Sequence, residues 1–158
     1  MTPRRHRAGF TVVELLIVLT LTAVMLGMAG LTLGRYVART TARRAAQVFA
    51  QDLAQARMFS VRSREPVVIR FFESTLRYEI ATGDGLTQLV SRRFDGQGSF
   101  DLSGLALDID GDSFVFSRRG IADLDGAEGP LGKARFEAGR ASYTVSFNSL
   151  GASRIESS

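Results

Sequence analysis

The chain has 158 residues and a mass of 17.2 kDa, one domain's worth, and its 45% hydrophobic and 23% charged residues make it a folding composition. It has no Cys and one His, His6, which excludes a disulfide framework, thiol chemistry and any His-based triad or His-rich metal site in the body of the protein. The net charge of +4 and pI near 10.3 raise nucleic-acid binding, but the charge is uneven. Residues 1–9 carry three Arg and no acid, and residues 10–64 carry seven Arg against Glu14 and Asp52. Residues 65–158 carry ten basic and fourteen acidic side chains, so the body of the domain is mildly acidic.

Residues 10–33 form a 24-residue apolar run whose one charge is Glu14. As a helix it spans about 36 Å at about 1.5 Å per residue, enough for a hydrocarbon core of about 30 Å. A secretory signal cleaved after Ala29 is the alternative, with small residues at Gly27 and Ala29. Against it, the run exceeds the usual signal core, and Glu14 inside it costs about 2.5 kcal/mol or more on insertion, which a signal has no use for. Arginines flank the run on both sides, so the positive-inside rule does not orient it.

The string Arg7-Ala8-Gly9-Phe10-Thr11-Val12-Val13-Glu14-Leu15-Leu16 resembles the N-terminal signal of type IV pilins and pseudopilins. There a short basic leader ends in Gly, Phe follows, and a Glu stands four residues later at the head of an apolar helix. The resemblance implies cleavage between Gly9 and Phe10 by a prepilin peptidase and N-methylation of the new Phe10 amine. It also implies a leader in the cytoplasm and a C-terminal domain in the periplasm, anchored by a single pass of the inner membrane. An unpaired Glu14 carboxylate in lipid is unfavourable, whereas beside the Phe10 amine of a neighbouring subunit it becomes half of an ion pair that sets register. A neutral Glu14 within one helix is the plainer alternative.

Residues 34–64 contain no Pro, and no Gly after Gly34. Ala42, Ala46, Phe49, Leu53, Ala56 and Ser60 recur at spacings of four and three, one narrow small-residue stripe of an amphipathic helix. Arg39, Arg43, Arg44, Gln47, Asp52, Gln55 and Arg62 are read as lying mostly off the stripe. The helix continues from the apolar run and ends before Pro66. Its arginines suit anionic lipid head groups, an acidic neighbour in a filament, or simply water.

After Pro66 the period becomes two. Val67–Phe72 reads as a buried strand, and Leu76, Tyr78 and Ile80 alternate with polar residues. Gly83-Asp84-Gly85 predicts a hairpin into a strand near Leu86–Phe94. Further strands are read at Leu105–Ile109, Phe114–Ser117, around Tyr143–Phe147 and at Ser153–Glu156, with a mobile, exposed loop over Ala122–Gly132. The expected fold is α+β: a leader at 1–9, a transmembrane assembly helix at 10–33, and a domain at 34–158 in which helix 34–64 packs on an antiparallel sheet over 65–158.

This layout is similar to the GspH/FimT group of minor pseudopilins and pilins. The similarity lies in the Ala-rich helix carrying Leu53, Ala56 and Arg57 that runs into Val67–Phe71. It recurs in two strand-Gly units, Phe114–Gly120 and Val145–Gly151.

Asp108, Asp110 and Asp112 alternate as in a calcium loop, but the sixth position is Ser113 and the twelfth Arg119, so no metal is assigned and acidic turns are the expected reading. No Ser or Thr has a His to activate it, and no phosphate-binding Gly motif is present, so no catalytic residue, enzyme activity or cofactor is expected. The resemblance implies a minor pseudopilin of a type II secretion system. Its implied partners are prepilin peptidase, the other major and minor pseudopilins and the inner-membrane secretion platform. The alternative is a FimT-like minor type IV pilin acting in pilus assembly or DNA uptake. Nucleic acid is not expected as a partner, because the C-terminal end offers only Arg154 beside Glu156, and Arg92-Arg93 and Arg118-Arg119 are the Arg doublets of residues 65–158.

Overall fold

The computed structural model describes residues 11–96, 100–109, 111–125 and 130–157, with the side chains at 28–32 excluded. The chain divides into two compact units, Met1–Gly34 and Arg35–Ser158. Helix α1 covers Val12–Ser63. Nine strands follow: β1 Val67–Phe72, β2 Arg77–Thr82, β3 Gln88–Arg93, β4 Gly104–Asp108, β5 Ser113–Phe116, β6 Ala122–Asp123, β7 Leu131–Ala138, β8 Ala141–Asn148 and β9 Ser153–Ser157.

In the first unit the described side chains from Val12 to Gly27 are all exposed, including Val12, Val13, Leu15, Leu16 and Ile17. Thr20 and Thr22 turn their hydroxyls back onto the carbonyls of Ile17 and Val18, at 2.9 and 2.7 Å, so neither leaves an unmet donor on the apolar surface. Among the described residues no helical stretch is long and apolar enough to cross a membrane.

In the second unit the strands form two sheets, ordered β3-β2-β1-β5-β6 and β4-β7-β8-β9, with every pairing antiparallel. The predicted stripe is the face of α1 that they cover: Ala42, Ala46, Phe49, Leu53, Ala56 and Ser60 are all buried. Alanines there allow close approach of helix and sheet. The one large ring, Phe49, fills the seam between the sheets, touching Phe71 and Tyr78 of the first at 5.4 and 5.3 Å and Phe136 and Phe147 of the second at 5.5 and 6.0 Å. Phe114 of β5 stacks on Phe147 of β8 at 4.9 Å and closes the same seam. The fold is α+β, with the second half of α1 packed on antiparallel sheets.

Several readings need correction. Asp52 does not avoid the buried face; it is 2% exposed. Leu76 is not in a strand: it ends a short 3-10 turn at Glu73–Thr75 with φ 46°. The strand read from Leu86 starts at Gln88, because Gly85 (φ 73°) and the Asp84 side chain, accepting from the Thr82 hydroxyl and Leu86 N–H, hold Leu86 in the turn. The helix ends at Ser63, since Arg64 takes φ 57° ahead of Pro66. The loop read over Ala122–Gly132 is shorter: Ala122–Asp123 pairs with β5, and Leu131–Gly132 open β7. Strand β7 was not foreseen.

Candidate functional site

The sequence singled out Gly9, Phe10 and Glu14. Gly9 and Phe10 lie outside the described residues, so the site begins at Thr11. The Thr11 hydroxyl accepts the Glu14 N–H at 3.2 Å, and the Glu14 Oε2 accepts the Thr11 N–H at 3.3 Å. The Thr11 hydroxyl also donates to Oε2 at 3.3 Å. This is a capping box: two residues three apart satisfy each other's orphan N–H groups at a helix start. The Glu14 charge also lies at the positive end of the helix dipole. The sequence carried this signal in Thr11-Val12-Val13-Glu14, which sequence reasoning read only for the Glu.

Glu14 is exposed, on a helix whose flanking side chains are aliphatic. Among the described residues its polar partner is Thr11. A second carboxylate-binding group arriving from outside would therefore meet an accessible oxygen on an apolar surface, where charge attraction is least screened.

In the second unit Asp52 anchors a buried cluster. Tyr78 donates its hydroxyl to Oδ2 at 2.8 Å, and Arg92 clasps both oxygens, Nε to Oδ2 at 2.9 Å and Nη2 to Oδ1 at 3.2 Å. Burial, and next the Asp52 carboxylate, push the Tyr78 hydroxyl far above its ordinary pKa. The Asp52 bond in turn raises that of the Arg92 guanidinium. Spacing held the clue: Asp52 stands three residues after Phe49 and four before Ala56, on the buried side of α1.

The two strand-Gly units converge on Arg57. Its Nε donates to the Gly120 carbonyl at 3.2 Å. Gly120 and Gly151 have φ of 70° and 69°, and a Cβ on either would stand about 3 Å from the Arg57 side chain. The turns are tied by Ala122 N–H donating to the Ser149 carbonyl at 2.7 Å.

The basic doublets are partly spent. Arg92 is held by Asp52, Arg93 by Asp95 at 2.6 Å, and Arg154 by Glu156 at 3.0 Å, while Arg118 and Arg119 are exposed on a turn. Asp108 faces Lys133 at 3.6 Å, and Asp110 lies outside the described residues. Among the described residues no group of three or more His, Cys, Asp or Glu side chains comes together.

Residues 4–30 match the family model described as the prokaryotic N-terminal methylation motif. The fold is similar to that of the minor pseudopilin EpsH from the type 2 secretion system of Vibrio cholerae, at 15% identity and TM-score 0.50, covering 74% of this chain and 97% of that one. No curated protein matches the chain. The chain therefore carries a prokaryotic N-terminal methylation motif over residues 4–30, and its fold is similar to that of a minor pseudopilin.

Proposed function

We propose that the protein is a minor pseudopilin, a structural and non-catalytic subunit of a type II secretion pseudopilus that assists export across the outer membrane. Prepilin peptidase cleaves between Gly9 and Phe10 and methylates Phe10. The helix from Phe10 to Leu33 anchors the subunit in the inner membrane with residues 34–158 in the periplasm. It then packs against other major and minor pseudopilins as the platform drives assembly. The methylation motif and the fold likeness to a minor pseudopilin support an assembly subunit, a FimT-like minor type IV pilin being the alternative, and the ion pairs that occupy Arg92, Arg93 and Arg154 support a partner other than nucleic acid.

The observation that carries this reading is the exposed Glu14 carboxylate, bonded to Thr11 among the described residues at the head of an apolar, exposed helix face. In an assembly, a neighbour's Phe10 amine replaces part of that capping box with a charge pair in low dielectric. The test is the amount of protein in the sheared pseudopilus fraction. Glu14→Leu should lower it at least tenfold while the membrane level stays normal. Thr11→Val, which loses the hydroxyl bonds and keeps the carboxylate, should lower it far less. Wild-type incorporation of Glu14→Leu would remove the ion-pair role.

A further inference from the structure

In the second unit, the C-terminal end of α1 and two turns of the sheets form one surface. The turns Ser117–Ile121 and Asn148–Ala152 flank Arg57, which bonds one of them and packs on both. Val61 covers Gly120: a Cβ there would lie 2.6 Å from the Val61 Cγ2. Met58, one helical turn before Val61, is 65% exposed, and Val61 itself 49%. Ile121, next to Gly120, and Leu150, next to Gly151, are 45% and 51% exposed. Four aliphatic side chains thus stand open around a fixed pair of turns.

The charge on these segments is mostly positive, with Glu65 and Asp123 just past their ends. Residues 57–64, 117–122 and 148–152 hold five Arg and no Asp or Glu, although residues 65–158 carry fourteen acids against ten bases. Arg57 is positioned by its bond to the Gly120 carbonyl, so its guanidinium fork loses little freedom on meeting a carboxylate.

We infer that this surface docks a protein whose face has an apolar centre ringed by carboxylates. Arg and Met are enriched at protein interfaces, and an aliphatic centre with a charged rim is the usual anatomy of one. A nucleic acid would leave the four aliphatic side chains uncovered, and none of the four is aromatic to stack a base. A lipid surface attracts Arg by charge alone and has no need of an arginine held in a fixed orientation. The inference stands on exposure and charge, not on leader cleavage, so its test and the Glu14 test fail separately.

The experiment places a benzoyl-phenylalanine photo-cross-linker at Leu150 of the full chain in its native cells. The expected result is a protein adduct whose cross-linked peptide carries more Asp and Glu than Lys and Arg. Arg118→Glu with Arg119→Glu should cut that adduct at least tenfold with the unfolding temperature unchanged, and Arg62→Glu on the helix serves as a second variant. The same cross-linker at Leu86, exposed on the β2–β3 turn, should not give it. Adducts only to phospholipid or nucleic acid, no adduct, or an adduct that survives both charge reversals would overturn the inference.

Discussion

Tyr78 donates its hydroxyl to the Asp52 carboxylate across 2.8 Å, joining β2 to a helix face whose other buried residues are alanines, Phe49, Leu53 and Ser60. Arg92 reaches the same carboxylate from the edge strand β3, so one buried charge ties the helix to two strands. Removing Arg92 leaves Asp52 charged and buried with a single neutral donor. Because Arg92 is nearly half exposed, the loss is smaller than for a fully buried pair. Arg92→Leu should destabilise the domain by about 2–3 kcal/mol in denaturant unfolding. Asp52→Leu together with Arg92→Leu should recover part of that, since no unpaired charge remains.

The same cluster sets an alkaline limit. Tyr78 has its pKa raised by burial and by Asp52, so the folded state keeps the phenol neutral where the unfolded state, near pH 10, ionises it. The sign follows: the stabilisation is complete below about pH 10 and is lost as pH rises above it. Unfolding free energy should fall by up to about 1.4 kcal/mol per pH unit there through this one group. In Tyr78→Phe that component of the slope should vanish, measured against wild type in parallel melts.

Phe49 is the ring on which both sheets close. Phe49→Ala removes contacts to four aromatic rings at once and should cost about 3–5 kcal/mol. Ala46→Leu, on the same stripe, should destabilise by overpacking, since the position is fully buried against the sheets.

The stripe was legible because a helix repeats every 3.6 residues and its inward positions are apolar. Strand β7 was not, for a packing reason: its inward residues are Gly132, Ala134, Phe136 and Ala138. Three of these are too small to mark a hydrophobic alternation. Gly132 must be small, because a Cβ would stand 2.6 Å from the Phe147 ring. Asp52 was misread because a carboxylate signals a solvent face until its partners, 26 and 40 residues away in sequence, are known. The local bond of Glu14 to Thr11 was legible in their spacing of three at a helix start.

Gly120 shows how the two Gly turns depend on Arg57 and Val61. Gly120→Ala must hold φ near 70° and place its Cβ against Val61, and should cost about 1–3 kcal/mol in denaturant unfolding. Adding Val61→Ala should return the steric part and leave the backbone part, about 1 kcal/mol.

The proposed function makes Phe10 the mature N-terminus of an assembly subunit. Intact-mass and N-terminal peptide mass spectrometry of the protein from its native membrane reads that terminus. The expected chain begins at N-methylated Phe10 and lacks residues 1–9. An unmodified chain beginning at Gly30, or one retaining Met1 to Gly9, would contradict it.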